Sequence, residues 1–212
     1  MDLFSELKNQ PINILRKDGE VNFYEEIISP LDSEYFFQQL LNTINWRADQ
    51  ALIFGKLIQT KRKVAWYVDT HDGQSFSYRY SGVTRNSLPF NELLFTLKGI
   101  VEEHSKETYN ACLLNLYHTG EEGMAWHSDG EKELKKEGAI ASLSFGAERK
   151  FAFKHKLSKQ VISLPLSPGS LLVMKGATQQ HWLHCLPPTK KVSSPRINLT
   201  FRTIEGKRLK SY

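Results

Sequence analysis

Cysteine is scarce in this chain of 212 residues, in which only Cys112 and Cys185 are present. Two cysteines are too few for a disulfide framework or a cysteine zinc site, and we expect both thiols to stay reduced. No apolar run approaches the roughly 20 residues that cross a bilayer, which excludes a membrane-inserted protein. The first residues lack the pattern of a secretory signal, so we expect an intracellular protein, cytoplasmic in a bacterium or nuclear in a eukaryote.

The sequence also lacks internal repeats and low-complexity tracts. Hydrophobic residues make up 40% and charged residues 24% of the chain, which is ordinary for a globular protein with one sizeable core. We therefore expect a single domain over residues 1–212. We also expect a monomer, although the sequence carries no signal for the oligomeric state. The net charge of +5 favours a polyanionic partner, although charge alone does not identify nucleic acid.

The chain changes character near residue 110. Before it, the sequence predicts helices at 31–45 and 90–104, with short β-rich, basic and aromatic pieces between them. After it, short strand candidates are separated by turn residues: Cys112–Tyr117, Ala139–Phe145, Lys150–Phe153, Val161–Leu164, Ser170–Met174 and Arg196–Thr203. This pattern predicts an α+β, mainly β protein whose core is a jelly roll, or double-stranded β-helix, with helices on its outer face. We expect an N-terminal part with helices and a lid over about 1–110, the core over about 111–205 and a basic tail at 206–212.

The last strand candidate alternates polar and apolar residues: Arg196, Asn198, Thr200 and Arg202 alternate with Ile197, Leu199 and Phe201. In an extended chain, the four polar residues share one face. Two arginines on one face repel each other unless an anion lies between them, and guanidinium groups bind carboxylates in a planar, bidentate geometry. The strand therefore predicts a site for a small dicarboxylate. The alternative is a solvent-facing edge strand whose arginines pair with surface acids.

A second pattern, His127-Ser128-Asp129, places an imidazole and a carboxylate on one side of an extended chain, as two ligands of one metal require. The other histidines are candidates for the next ligand, and we favour the last of them: His71, His104, His118, His155, His181 and His184. Two histidines and one carboxylate leave three positions free on an octahedral ion, which is typical of non-haem Fe(II) oxygenases. A 2-oxo acid fills two of these positions and O2 the third. Asn115 and Tyr117, two apart on a strand, are candidates to donate hydrogen bonds to the acid.

In chain order, these patterns resemble the AlkB-type 2-oxoglutarate- and Fe(II)-dependent dioxygenases. The resemblance covers residues 115–202 and is carried by Asn115-x-Tyr117-x-x-Gly120, His127-x-Asp129, His184 and Arg196-x-Asn198-x-Thr200-x-Arg202. It implies iron at His127, Asp129 and His184, and Arg202 is counted with them in the catalytic centre. It also implies that 2-oxoglutarate is held by Asn115, Tyr117, Arg196, Asn198, Thr200 and Arg202, with O2 as the second cosubstrate.

A weaker similarity, from about residue 51 to 85, resembles the nucleotide-recognition lid of the DNA-repairing members. It implies base contacts from this lid, in which Tyr78 or Tyr80 matches an aromatic that sandwiches a flipped base against His127. The predicted substrate-binding residues are Phe54, Gly55, Lys56, Arg62, Tyr78, Arg79, Tyr80 and Glu131. Glu131 matches an acid that contacts the exocyclic amine of the damaged base, whereas Gly130 stands where some relatives carry a second acid.

Two of these substrate assignments have open alternatives. Phe54 matches an apolar finger that fills the gap left by a flipped base in duplex DNA, but it equally fits a core position. Arg62 belongs to the basic run Lys61-Arg62-Lys63, which is suited to phosphate contacts beside Trp66 and Tyr67. The alternative for that run is a solvated hairpin tip.

The resemblance implies oxidative demethylation of N-alkylated bases in DNA, such as 1-methyladenine and 3-methylcytosine, which repairs the damage by direct reversal. The expected partner is alkylated DNA, single- or double-stranded, with RNA as an alternative and no membrane. An RNA demethylase or a protein-modifying dioxygenase with the same iron centre is a rival, because lid residues rather than the barrel choose the substrate. A cupin-like nucleic-acid-binding module without enzymatic activity is a second rival.

Overall fold

The protein is described from a computed structural model over residues 11–53, 56–69, 77–80 and 83–205. At 50–53, 56–58, 77–80 and 83–86 the backbone alone is described. Phe54, Gly55 and the predicted tail at 206–212 lie outside these ranges. Within them, no helix combines the length and the apolar composition that crossing a membrane requires.

Two long helices flank the sheets, and each begins at a side-chain cap. Helix α1 (Pro30–Thr43) follows Ser29, whose side chain accepts a hydrogen bond from the backbone N–H of Asp32. Helix α2 (Glu92–Ser105) follows Asn91, whose side chain accepts from Leu94 in the same way. Both predicted helices are confirmed, with ends shifted by one or two residues. A short helix, α3 (Thr178–His181), has no counterpart in the sequence-based prediction.

The strands in the described ranges are, in chain order, β1 (Ile12–Asn13), β2 (Glu20–Tyr24), β3 (Arg47–Ile53), β4 (Lys56–Val68), β5 (Ser77–Tyr80), β6 (Val83–Asn86), β7 (Leu88–Pro89), β8 (Ala111–Tyr117), β9 (Met124–His127), β10 (Ile140–Gly146), β11 (Arg149–His155), β12 (Val161–Leu166), β13 (Leu171–Lys175), β14 (Trp182–Leu186) and β15 (Arg196–Arg202). The larger sheet has the order β1-β2-β13-β10-β15-β8-β4-β3, with β7 beside β4. The smaller sheet has the order β12-β11-β14-β9, and β5 pairs with β6 alone. The mainly β prediction is confirmed.

Helices and sheets form three layers. One face of the larger sheet packs against α1 and α2 through buried apolar side chains such as Leu40, Leu97, Leu143 and Phe201. The other face packs in part against the smaller sheet, where Met174 meets Phe153 and Trp182 of β11 and β14. Strand β15 lies inside the larger sheet and is buried along its whole length, so both faces of this strand are covered. The polar residues of β15 therefore face the space between the two sheets.

The long hairpin β3–β4 continues beyond the larger sheet. Residues 63–68 of β4 pair with β8, whereas residues 56–59 pair only with β3. A register shift between Ala48 and Gln50 interrupts the β3–β4 pairing. The stretch predicted to form the lid, about residues 51–85, thus falls on the hairpins β3–β4 and β5–β6.

Candidate metal and cosubstrate site

Strand β15 presents a row of polar side chains that are buried and hydrogen-bonded to one another. Arg196 Nη2 donates to Ser144 Oγ and to Asn198 Oδ1, each at 2.9 Å. Asn198 Oδ1 also accepts from Ser142 Oγ at 2.8 Å, and Asn198 Nδ2 donates to Thr200 Oγ1 at 2.9 Å. This chain of hydrogen bonds fixes the orientation of each side chain before any ligand binds. The alternative of a solvent-facing edge strand does not fit, because β15 lies between β10 and β8.

Strand pairing in the smaller sheet brings two histidines together. His127 at the end of β9 is the register partner of His184 on β14, and their ring centroids are 4.2 Å apart. Asp129 follows β9, and its carboxylate oxygens lie 4.0 Å from His127 Nε2 and 3.7 Å from His184 Nε2. One ligand atom from each of the three residues lies within 4.8 Å of the others. The arrangement is two histidines and one carboxylate that face a common point.

The protonation states of His184 and Asp129 are those that metal ligands need. Burial lowers the pKa of His184 to about 4, so its imidazole is neutral near pH 7. Burial alone would raise the pKa of Asp129, but Arg202 and then the two imidazoles outweigh it and hold this pKa below its usual range. Arg202 Nη2 donates to Asp129 Oδ1 at 3.0 Å, which also orients the carboxylate. Metal binding requires a neutral imidazole and an ionised carboxylate.

The hydrogen bond of the His127 ring also favours metal binding. Its Nδ1 lies 2.8 Å from the backbone oxygen of Ala125. A carbonyl oxygen only accepts, so Nδ1 carries the proton and the lone pair of Nε2 is free to bind a metal. This donor set fits Fe(II), and the residues that would hold it are His127, Asp129 and His184.

One cavity joins the three metal-ligand candidates to the polar face of β15. Asn115 on β8 lines this cavity, and its buried Oδ1 has no hydrogen-bond partner. Arg196 Nε is buried without a partner as well. Burial lowers the pKa of Arg196 to about 10, because a guanidinium buried without an anion is destabilised in its charged form. A dicarboxylate such as 2-oxoglutarate supplies the missing charge, so the residues fit this cosubstrate.

Tyr117, at the end of β8, lies between two guanidinium groups. The central carbon of Arg62 is 5.8 Å and that of Arg196 is 5.7 Å from the centre of the Tyr117 ring. Arg62 is only 7% exposed and forms a buried ion pair with Asp49 of β3. Its Nη1 lies 3.3 Å from the sulfur of Met124, which lines the cavity. The structure thus places Arg62 beside the cosubstrate cavity, whereas its neighbours Lys61 and Lys63 are exposed.

A larger cavity of about 370 Å³ adjoins the first one, and Asp129 and Arg202 line both. Glu131 lines the larger cavity, and one of its carboxylate oxygens lies 3.6 Å from Arg202 Nη1. The other oxygen, Oε2, is buried without a hydrogen-bond partner. An unpartnered buried carboxylate oxygen can accept a hydrogen bond from a ligand that enters this cavity.

The remaining predicted substrate residues lie in the lid. Lys56, Tyr78, Arg79 and Tyr80 are placed on β4 and β5 by their backbone alone. Phe54 and Gly55 fall outside the described residues. The structure therefore leaves the base-contact assignments of the lid as predictions.

The structure also shows a cluster that sequence reasoning missed. Asp18, His155 and His181 place one potential ligand atom each within 4.8 Å of the others. However, the backbone N–H of Ser158 donates to His155 Nδ1 at 3.0 Å, so a neutral His155 carries its proton on Nε2, which faces Asp18 Oδ2 at 3.2 Å. A protonated ring nitrogen offers no lone pair to a metal. We interpret this cluster as a hydrogen-bonded anchor of the turn before β2. No sequence spacing marks it, because its members come from distant segments.

Comparison with known proteins agrees with this geometry. Residues 20–202 match the family model of the 2OG-Fe(II) oxygenase superfamily. The chain is 35% identical over 201 residues to the DNA oxidative demethylase ALKBH2 of Homo sapiens, covering 90% of this chain and 76% of that protein. It is 33% identical over 196 residues to the alpha-ketoglutarate-dependent dioxygenase alkB homolog 3 of Homo sapiens, covering 88% of this chain and 66% of that protein.

A solved structure shows the same fold at low sequence identity. The structure of OsALKBH1 matches with a TM-score of 0.59 and 16% identity, covering 89% of this chain and 99% of that one. The family match, the two relatives and the His-Asp-His geometry indicate an Fe(II)-, 2-oxoglutarate- and O2-dependent enzyme. The chain therefore belongs to the AlkB-type enzymes of the 2OG-Fe(II) oxygenase superfamily.

Proposed function

We propose that this protein is a DNA oxidative demethylase that removes N-alkyl groups from bases such as 1-methyladenine and 3-methylcytosine. The observation that carries the proposal is one cavity lined by both the His-Asp-His set and the buried arginine strand, with a Glu131-lined cavity beside it. Relatives that share about a third of its residues carry the name DNA oxidative demethylase. The repair is a direct reversal, since the base itself stays in the strand.

The chemistry depends on cosubstrates that the site is built to hold. When bound, Fe(II) with O2 and 2-oxoglutarate supplies hydroxylation of the N-methyl carbon, with release of succinate and CO2, and the hydroxymethyl group then leaves as formaldehyde. The chain's own part is binding and orientation. His127, Asp129 and His184 hold the metal, and Arg202 keeps the Asp129 carboxylate ionised and oriented. The 2-oxoglutarate is held by Arg196, Asn198, Thr200, Arg202, Asn115 and Tyr117.

Among the side chains that the structure describes, Glu131 is the best placed to recognise the base. Its buried Oε2 is available to accept a hydrogen bond from an exocyclic amine, and its negative charge favours a cationic methylated base. Such bases also pair weakly, which lowers the cost of extruding them from the stack. The remaining substrate contacts belong to the proposed lid: Phe54, Gly55, Lys56, Tyr78, Arg79 and Tyr80.

The proposal also covers the partner, the oligomeric state, the domain organisation and the location of the protein. The partner is nucleic acid, with alkylated DNA favoured over RNA. We also propose a monomer, a single domain with the lid before about residue 110 and the core after it, and an intracellular location that is nuclear in a eukaryote or cytoplasmic in a bacterium.

The proposal is tested by incubating the protein with a 3-methylcytosine oligonucleotide, ferrous iron, ascorbate and 2-oxoglutarate, and measuring the oligonucleotide by mass spectrometry. We expect loss of one methyl group with the intact protein and no loss with His127→Ala or Arg202→Ala. Parallel reactions with methylated single-stranded DNA, duplex DNA, RNA and peptide, read as formaldehyde release, separate the rival substrates. If none of these polymers stimulates 2-oxoglutarate consumption, a binding module without turnover replaces the proposal.

A further inference from the structure

We propose that Gln179 is a positioning residue for the metal site, because it fixes the backbone of the carboxylate ligand Asp129. The inference depends on the family's iron site and not on the identity of the substrate. Asp129 lies beyond the end of β9, where no neighbouring strand satisfies its backbone N–H. The side-chain oxygen of Gln179 accepts a hydrogen bond from this N–H at 2.9 Å. The position of the Asp129 carboxylate therefore depends on a residue fifty positions away in the sequence.

Gln179 is itself held in place from both ends. Its side-chain Nε2 lies 3.3 Å from the sulfur of Met174, which identifies Oε1 as the end that faces Asp129. Its helix α3 is anchored by Thr178, a residue 1% exposed, whose hydroxyl oxygen is 3.0 Å from the backbone oxygen of Glu20 and 2.6 Å from that of Lys175. The amide of Gln179 is thus pre-oriented by contacts that do not involve a metal.

Lys156 ties Gln179 to the loop that carries the ligands. Its Nζ donates to the backbone oxygen of Gln179 at 2.8 Å and to Ser128 Oγ at 3.3 Å. Ser128 is the residue between the ligands His127 and Asp129. The ligand loop is therefore held at two adjacent positions, once through its backbone and once through a side chain.

Hydrogen bonds of this kind around metal ligands set the affinity of a site. Loss of one such group typically costs 10- to 100-fold in metal affinity. Gln179→Met has nearly the same length and volume but removes the acceptor, which leaves the Asp129 N–H unpaired. Gln179→Glu keeps an oxygen acceptor at the same distance along the side chain. Gln180→Met is the matched control, because Gln180 is the next residue of α3 and its side chain donates to Glu137 on the exposed surface, away from Asp129.

The experiment measures Mn(II) binding to the metal-free full chain, with a constant 2-oxoglutarate concentration, from the electron paramagnetic resonance signal of free Mn(II). The melting temperature of the metal-free protein is recorded for each variant. We expect Gln179→Met to raise the Mn(II) dissociation constant about tenfold or more. Gln179→Glu and Gln180→Met should stay within about threefold of the wild type, and the melting temperatures should differ by only a few degrees.

Two results overturn the proposal. The first is wild-type Mn(II) affinity in Gln179→Met. The second is weakened binding in both Gln179 variants together with a matching drop in melting temperature, which would mean that Gln179 only packs. If Gln179→Met does not fold, Gln179→Ala carries the same test, because it also removes the acceptor for the Asp129 N–H, and an unchanged dissociation constant in that variant also overturns the proposal. Because no nucleic acid is present, this result is independent of whether DNA is the substrate.

Discussion

The catalytic core and the lid hairpins differ in how their strands are paired. On β15, inside the larger sheet, four polar residues are buried and oriented by short hydrogen bonds. In the β3–β4 hairpin, residues 56–59 of β4 pair with β3 but not with β8, and β5 pairs only with β6. A sheet of two strands is marginally stable alone. The comparison teaches that strand register positions the two histidine ligand candidates and the arginine strand, whereas the hairpins to which we assign substrate choice extend outside that pairing.

The first prediction tests the core side of this comparison at its strongest point. His184→Ala removes a buried ligand candidate, and we expect demethylation to fall by about 1,000-fold or more, since other residues do not replace a ligand at this position. Turnover is measured as formaldehyde release from a methylated oligonucleotide. His181→Ala is the control, because His181 faces Asp18 and His155 instead of the site. Equal losses of turnover in the two variants would mean that His184 is not a metal ligand.

A second prediction concerns the ion pair within the β3–β4 hairpin, next to the part of β4 that pairs with β8. Asp49→Ala leaves the guanidinium of Arg62 buried without its carboxylate, and we expect a loss of about 3 kcal/mol in the free energy of unfolding. Urea unfolding measures the change. The double variant Asp49→Leu/Arg62→Met should recover most of the loss, and Lys61→Met, an exposed neighbour, should change stability by about 0.5 kcal/mol or less.

The stability of Asp49→Ala also decides which region Arg62 belongs to. Stability equal to that of the wild type would indicate that Arg62 turns outward easily and acts as a phosphate contact of the lid. A large loss would indicate that Arg62 is part of the wall of the cosubstrate cavity, where it contacts Tyr117 and Met124.

A third prediction separates the arginine strand from the metal ligands. Arg196→Met removes the buried cation that we expect to pair with a carboxylate of 2-oxoglutarate, so the KM for 2-oxoglutarate should rise about 50-fold. The dissociation constant for Mn(II) alone should change little, because the guanidinium of Arg196 bonds to Ser144 and Asn198 and not to the three ligand candidates. Steady-state kinetics and metal titration check the two parts. An unchanged KM would place the dicarboxylate elsewhere.

The smallest expected effect lies at the border between the two regions. Glu131→Gln removes the negative charge that faces the second cavity, and we expect kcat/KM for a cationic 3-methylcytosine oligonucleotide to fall about tenfold. The KM for 2-oxoglutarate should stay unchanged. Glu148→Gln is the control, because Glu148 is exposed and lines neither cavity. A rise in the KM for 2-oxoglutarate instead would assign Glu131 to the cosubstrate site.

The sequence predicted β15 well because its information is local. Alternate residues of one strand share a face in any sheet, so the polar row of β15 needed no knowledge of the fold. His184 was a choice among several histidines, because its position opposite His127 depends on the pairing of β9 with β14, which no local pattern records. The same limit applies to Gln179, which reaches Asp129 from a helix of four residues.

Arg62 shows a case in which a local signal existed. The basic run Lys61-Arg62-Lys63 suggests one ridge of phosphate contacts, but alternation along β4 places Lys61 and Lys63 on the exposed side and Arg62 on the buried side. Alternation along one strand does not, however, identify Asp49 as the partner of Arg62. A register shift in the hairpin lies next to Asp49, so counting residues across the turn does not identify the pair.

The most direct test of the central claim is a crystal structure with Mn(II) and a non-reactive 2-oxoglutarate analogue, with the metal located by its anomalous signal. We predict one metal peak at about 2.2 Å from His127 Nε2, the Asp129 carboxylate and His184 Nε2. The far carboxylate of the analogue should contact the guanidinium of Arg196. A metal peak at Asp18, His155 and His181, or an analogue bound away from the arginine strand, would contradict the account.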